Sequence, residues 1–108
     1  MRGDIVTIAD RSGKFTGKPR PAIVLQSDAF AESATVSVLP ITSEAADAPL
    51  LRIQLAPGEA TGLAVPSWAQ IELISTVRRR RVGPPIGRAN DATMLAVNRA
   101  LAVFLGLA

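Results

Sequence analysis

The sequence contains no histidine, no cysteine and no tyrosine, and these absences exclude several common chemistries. Without histidine, a chain of this type cannot build a Ser–His–Asp triad or a His–His acid–base pair. Without histidine and cysteine it lacks the usual zinc ligands, and without cysteine it has no disulfide and no thiolate nucleophile. The nine carboxylates are scattered rather than clustered. The sequence therefore predicts no metal site, and it contains no motif for a cofactor.

Long apolar runs are also missing. No stretch approaches the roughly 18 residues of a membrane-spanning helix, and the first residues do not resemble a signal peptide. Together with the absence of cysteine, this predicts a cytoplasmic location. At 108 residues and 11.3 kDa, the chain is expected to form a single domain over residues 1–108. Because aromatics make up only 4% of the residues, Val, Ile, Leu and Ala must fill the core.

Positive charge is concentrated near the end of the chain. Residues 1–77 carry six basic and eight acidic side chains, whereas residues 78–108 carry six arginines and one acid, Asp91. Four of those arginines form the run Arg78-Arg79-Arg80-Arg81. Such a run attracts phosphate backbones or acidic peptides, although it can also be a solvated turn. Ten of the twelve cations are arginines, which favours planar, bidentate contacts with anions.

Short β-rich segments precede one helical segment. Strands are predicted at residues 4–9, 21–26, 34–41, 50–55, 63–66 and 70–77, with a capped turn at 27–30 and loops at 11–19 and 44–49. The Gly83-Pro84-Pro85 sequence is expected to prevent regular structure. This order predicts a mostly β fold, a compact antiparallel barrel-like sheet with a C-terminal helix.

The helix is predicted from Ala92 to about Leu105, capped by Asn90 or Asp91 and stopped by Gly106. Its apolar stripe consists of Met94, Val97, Leu101, Phe104 and Leu105. A helix this apolar should be covered on more than one side. We therefore expect it to pack on the sheet and to lie near the interface of a homodimer, which would add buried area to a small domain.

Arg20 lies between Pro19 and Pro21 at the start of an apolar strand, and Thr42 and Ser43 end the next one. The residue before a proline is held in an extended conformation, so the Arg20 side chain leaves a restricted backbone. Taken singly, Arg20 could be a solvated cation and Thr42-Ser43 a turn. Taken together, a fixed cation and neighbouring hydroxyls could hold a phosphate and act on it.

Four segments, in this order, resemble the MazF/PemK family, the ribonuclease toxins of bacterial toxin–antitoxin systems. They are Gly3-Asp4-Ile5-Val6, Pro19-Arg20-Pro21-Ala22-Ile23-Val24-Leu25, Pro40-Ile41-Thr42-Ser43, and the closing strands from Gly62 to Gly87 with the helix from Asp91 to Leu107. The resemblance covers almost the whole chain. It implies an SH3-like barrel, a homodimer, cleavage of single-stranded RNA at short sequences, and inhibition by an acidic antitoxin.

The resemblance also implies site residues. The family's catalytic arginine and threonine fall on Arg20 and Thr42, and its acidic strand residue falls on Glu72, although Leu73 and Ser75 depart from the surrounding pattern. Residues predicted to bind RNA are Lys14, Lys18, Ser43, Arg78, Arg79, Arg80 and Arg81. The chemistry implied is attack by the RNA 2′-hydroxyl, giving 2′,3′-cyclic phosphate and 5′-hydroxyl ends without a metal. The proton-accepting base is either Glu72 or a water.

Two other functions compete with this reading. A gyrase poison of the CcdB type would have the same fold and act through the end of its helix, but the final Phe104–Ala108 segment lacks the tryptophan used there. A non-catalytic RNA-binding module would use Arg78 to Arg81. With Trp68 as its single tryptophan and few other aromatics, the chain offers poor stacking platforms for such a module.

Overall fold

The computed structural model describes residues 1–9 and 20–108. Its strands are β1 (Asp4–Ile8), β2 (Arg20–Val24), β3 (Thr35–Thr42), β4 (Arg52–Leu55), β5 (Ser67–Gln70), β6 (Ser75–Arg78) and β7 (Val82–Arg88), and they precede the helix α1 (Asp91–Phe104). Short 3-10 turns lie at Asp28–Phe30, Ile71–Leu73 and Arg79–Arg81. The predicted mostly β fold with one C-terminal helix is confirmed.

All strand pairs of the seven-stranded sheet are antiparallel, in the order β4-β5-β3-β2-β1-β7, with β6 paired to β3 off this path. The long strand β3 connects the parts of the sheet. Its first residues pair with β6, its middle pairs with β2, and its last two residues pair with β5. The end of β3 therefore lies between β2 and β5, where Thr42 was expected to act.

The sheet buries side chains on both faces because successive residues of a strand point in opposite directions. The main core lies against α1 and includes Ile5, Ile23, Leu39, Ile71 and Val97. A second cluster, on alternate residues, consists of Val6, Ala22, Val24, Val36 and Val38. Within the described part of the chain, neither cluster contains an aromatic residue among its buried members. The expectation that small aliphatic side chains fill the core is confirmed.

Two predicted strands are wrong in their bounds. Residues 63–66 form no strand, and among them only Leu63 makes a bridge, with Gly58. The predicted strand ended at Pro66, whereas the observed strand β5 begins just after it, at Ser67. The predicted strand at 70–77 is interrupted by the turn at Ile71–Leu73, whose Ile71 side chain is fully buried. A propensity for strand cannot reveal such a turn, because burial of Ile71 in the main core overrides the local preference.

The segment at residues 83–85 was expected to be irregular, and this too is wrong, because it lies within β7. The strand is at the edge of the sheet, where a proline does not interrupt a ladder on both sides. Its pairing with β1 shifts register on both sides of Val6. Gly87 is required in β7, since an added Cβ would lie 2.2 Å from the Thr61 carbonyl carbon.

The helix begins as predicted, with the Asn90 side chain accepting a hydrogen bond from the Thr93 N–H at 2.8 Å. Met94 and Val97 are buried, but Phe104 is 42% exposed and Leu105 51% exposed. The helix therefore packs on the sheet as expected, through Met94, Val97 and the partly buried Leu101, while its last residues are open to solvent in the single chain. Across residues 1–9 and 20–108, no helix is long and apolar enough to cross a membrane.

Candidate functional site

Arg20 of β2 and Thr42 of β3 lie at the same end of the sheet and on the same face. The ladder between the two strands runs as far as the pair Ala22–Pro40, and Arg20 and Thr42 each lie two residues beyond that pair. Because alternate residues of a strand point to the same side, both side chains project from the face that carries Ala22 and Pro40. That face points away from α1, because the neighbouring Ile23 and Ile41 both enter the main core. Arg20 is exposed and Thr42 half-buried, so a ligand can reach both side chains.

The Thr42 hydroxyl has a fixed orientation. Its Oγ1 accepts a hydrogen bond from the Glu44 backbone N–H at 3.1 Å, which anchors the loop that follows β3. Because the oxygen serves as acceptor for Glu44, the hydroxyl hydrogen is left to donate to a ligand. Ser43, the next residue, is exposed at the same strand end. A guanidinium and a donating hydroxyl on one face form a suitable site for a phosphate diester.

The row that begins with Arg20 and Thr42 continues onto two more strands. Thr42 pairs with Trp68 on β5, and Trp68 pairs with Gln54 on β4. We call Arg20, Thr42, Trp68 and Gln54 the open row. Trp68 is half-buried and Gln54 exposed. Neither residue was predicted to belong to the site. The alternation of Trp68 with Ala69 and of Gln54 with Leu55 is the signal that could have placed them on the open face.

Glu72 does not join the open row. It lies in the turn at Ile71–Leu73, past the end of β5, and both of its carboxylate oxygens contact Nη1 of Arg52. The two side chains are 17% (Arg52) and 23% (Glu72) exposed, and Arg52 Nη1 also donates to the Leu51 carbonyl at 3.1 Å. The strand position predicted for Glu72 is therefore wrong. In the structure this carboxylate closes an ion pair beside β4.

The arginine run lies at the opposite end of β3 from Thr42. Arg78 pairs with Thr35, seven residues before Thr42, a separation of about 23 Å along an extended strand. Arg79 Nε donates to the Ser33 carbonyl at 2.6 Å, and Arg81 donates through Nε and Nη2 to the Ala9 carbonyl at 3.0 and 2.8 Å. The guanidinium groups of Arg79 and Arg81 thus tie loops together, although Arg79 is exposed, as are Arg78 and Arg80.

Arg88, a further cation of the C-terminal segment, is also engaged elsewhere. Arg88 Nη1 contacts Asp4 Oδ1 at 2.6 Å, and its Nη2 donates to the Arg2 carbonyl, joining β7 to the start of β1. Lys14 and Lys18 lie outside the described residues. Within residues 1–9 and 20–108, no three His, Cys, Asp or Glu side chains are grouped so that they could hold a metal ion. Of the described cations that were predicted to contact RNA or phosphate, Arg20 is the one on the open row.

Comparison with known proteins identifies the family of the chain. The model of the PemK-like, MazF-like toxins of type II toxin–antitoxin systems matches residues 1–105. A probable endoribonuclease MazF from Mycolicibacterium smegmatis is 47% identical over 107 residues, covering 99% of this chain and 97% of the relative. Endoribonuclease MazF9 from Mycobacterium tuberculosis is 32% identical, with 98% and 96% covered.

A solved structure shares the fold. An endoribonuclease from a mycobacterial species, in complex with its cognate antitoxin, superposes with a TM-score of 0.74 at 20% identity, covering 98% of this chain and 92% of that one.

Proposed function

Because the chain belongs to the PemK-like, MazF-like toxins of type II toxin–antitoxin systems, we propose that it is an endoribonuclease that cleaves single-stranded RNA without a metal ion. The observation that carries the proposal is the placement of Arg20 and Thr42 at neighbouring strand ends on one accessible face of the sheet. Two relatives are named endoribonucleases, so neither the gyrase poison nor the non-catalytic RNA-binding module is favoured.

The reaction uses a nucleophile that the RNA itself supplies. The 2′-oxygen forms a bond to the adjacent phosphorus, its proton passes to solvent, and the bond from phosphorus to the 5′-oxygen breaks. The 5′-oxygen takes up a proton, leaving a 2′,3′-cyclic phosphate and a 5′-hydroxyl. Charge accumulates on the non-bridging oxygens of the five-coordinate phosphorus during this exchange. Arg20 stabilises that charge through its donor fork, and Thr42 donates a hydrogen bond to the same phosphate.

Glu72 has a different role in this proposal. Its carboxylate forms an ion pair with Arg52. Glu72 also lies past the end of β5, four residues after Trp68, which is the residue that pairs with Thr42. We assign the pair to holding β4 against the turn at Ile71–Leu73, and we assign removal of the 2′-proton to water. A guanidinium does not give up its proton in proteins, so Arg20 acts through charge and hydrogen bonds.

Partners follow from the exposed surfaces. The apolar end of α1, with Phe104 and Leu105 open to solvent, is the surface we propose for a homodimer contact. An acidic antitoxin segment would fold onto the surface around Arg20 and compete with RNA for that side chain. We expect both the protein and its RNA substrate to be in the cytoplasm. The neighbour with the same fold was solved with its cognate antitoxin bound.

The test separates this chemistry from that of metal-dependent nucleases. The purified protein is incubated with a mixed single-stranded RNA, with and without excess EDTA, and the fragment ends are mapped. Cleavage should persist in EDTA and give cyclic phosphate ends. A substrate with deoxyribose on the 5′ side of the scissile phosphate should resist, because it has no nucleophile. Activity that is lost in EDTA and restored by Mg²⁺, or cleavage of the deoxy-substituted strand, would contradict the proposal.

A further inference from the structure

The aromatic side chains of the described chain lie outside both hydrophobic clusters. Phe30 is 65% exposed and Phe104 42% exposed, and Trp68 is half-buried on β5. A large aromatic normally contributes its area to a core. Trp68 instead lies on the face opposite to the main core, because its neighbour Ala69 is a fully buried member of that core. The fold therefore leaves part of the largest ring of the chain on an open surface.

The position of Trp68 relative to the reacting phosphate follows from strand pairing. Trp68 pairs directly with Thr42, and Arg20 lies on the next strand, β2, two residues beyond the Ala22–Pro40 pair. Two strand spacings separate β5 from β2, which is about 10 Å. A base attached to a nucleotide next to the scissile phosphate can span this distance. On its other side, Trp68 faces Gln54, whose exposed amide carries both donors and an acceptor.

We propose that Trp68 and Gln54 form a subsite for one nucleobase flanking the scissile phosphate. The base stacks on the exposed part of the indole, and the Gln54 amide hydrogen-bonds to the edge of the same base. The inference rests on the proposed ribonuclease function. Stacking on an aromatic ring accepts any base, whereas an amide discriminates among base edges. Trp68 thus supplies affinity at this position, and Gln54 supplies base preference.

Charge at the subsite supports a base rather than a second phosphate. The nearest cation on β4 is Arg52, two residues before Gln54 on the same face, and its charge is paired with Glu72. Among residues 1–9 and 20–108, the Trp68–Gln54 end of the open row is therefore aromatic and neutral, while the Arg20 end is cationic. A single-stranded nucleotide has the same division, with an anionic phosphate and a neutral, planar base.

Trp68 is the only tryptophan and the chain has no tyrosine, so tryptophan-excited fluorescence reports on this residue alone. The first measurement titrates the protein with a single-stranded RNA whose scissile 2′-hydroxyl is removed, and it follows RNA binding by anisotropy of a label on the RNA. Stacking should quench the Trp68 emission with the same midpoint as the anisotropy change. Binding without any change in Trp68 emission would overturn the proposed subsite.

The second measurement compares cleavage by three variants. Trp68→Ala should lower kcat/KM by roughly 5- to 150-fold, the range of base–aromatic stacking, with most of the loss in KM. Trp68→Phe keeps a ring and should recover most of that loss, which a merely structural role of the indole would not predict. Phe30→Ala removes an exposed aromatic on a turn after β2 and serves as the matched control, with unchanged kinetics.

The third measurement identifies the base. Abasic nucleotides are placed at each substrate position in turn. At one position flanking the scissile phosphate, the missing base should weaken cleavage by the wild type but should not weaken cleavage by Trp68→Ala any further. Gln54→Leu should retain cleavage and lose the preference among the four bases at that position. If the wild type cleaves RNA while Trp68→Ala has unchanged kcat/KM, the subsite is wrong and the ribonuclease function stands. If the wild type neither binds nor cleaves RNA, both are wrong.

Discussion

Replacement of Arg20 by alanine is the perturbation that most directly tests the catalytic site. Arg20 is exposed at the first position of β2, so its removal should change the free energy of unfolding by no more than about 0.5 kcal/mol. In a domain of this size that corresponds to a shift in melting temperature of at most about 3 °C. Removing a donor from a developing phosphorane, by contrast, should cost about 2.7–4 kcal/mol, or roughly 100- to 1,000-fold in kcat.

The assay pairs thermal unfolding with RNA cleavage for the same preparations. Arg20→Lys retains a positive charge but loses the planar fork, and it should fall between the wild type and Arg20→Ala. Arg99→Ala, which removes an exposed guanidinium from α1, controls for the loss of one positive charge and should cleave like the wild type. Full cleavage by a folded Arg20→Ala variant would refute the reasoning from the β2–β3 register.

Because Arg20 and Thr42 lie on one face at neighbouring strand ends, a double variant gives a further quantitative test. Thr42→Val removes the hydroxyl at nearly constant shape. If both side chains contact the same phosphate, the double variant should lose less than the product of the two single losses, with a coupling of about 0.5–3 kcal/mol. Strictly multiplicative losses would indicate that the two residues act at separate positions.

Two more predictions concern the ion pair and the helix end. Glu72→Gln should lower the free energy of unfolding by about 1–3 kcal/mol, because it leaves the half-buried Arg52 without its carboxylate. The same variant should change kcat by less than about threefold. A folded, stable variant with a kcat lowered more than 100-fold would show that Glu72 transfers a proton. Light scattering at micromolar concentration should find a dimer that Phe104→Glu dissociates but Phe30→Glu does not, and a monomeric wild type would contradict the proposed interface.

Sequence alone predicted the parts of the fold that local chemistry determines. Alternating and β-branched runs located β1, β2 and β3, and the Asn90 cap with Gly106 located α1. The parts that it missed depend on distant contacts. The turn at Ile71–Leu73 exists because Ile71 is buried in the main core, and β7 exists because β1 offers it a partner despite two prolines.

The candidate site likewise has one part that local sequence predicts and another that depends on distant contacts. Arg20 and Thr42 could be selected from sequence because each marks the end of a strand beside a proline-containing motif and because the family resemblance points to them. The other half of the open row could not, since only the register of three strands shows that Trp68 and Gln54 follow Thr42 on one face. Composition suggested that the chain was poor in stacking platforms, but the position of a single ring matters more than the number of rings.

The prolines of β7 affect the behaviour of the protein at high concentration. An exposed sheet edge is a template on which further chains can polymerise into aggregates. Because successive N–H groups of a strand point to opposite sides, one of the prolines at residues 84 and 85 removes a donor from the outer edge of β7, and the register shifts opposite β1 bend that edge away from a flat ladder. Growth of ordered aggregates along β7 is therefore disfavoured by covalent structure, whatever the state of any partner. A toxin released from its inhibitor carries this protection with it.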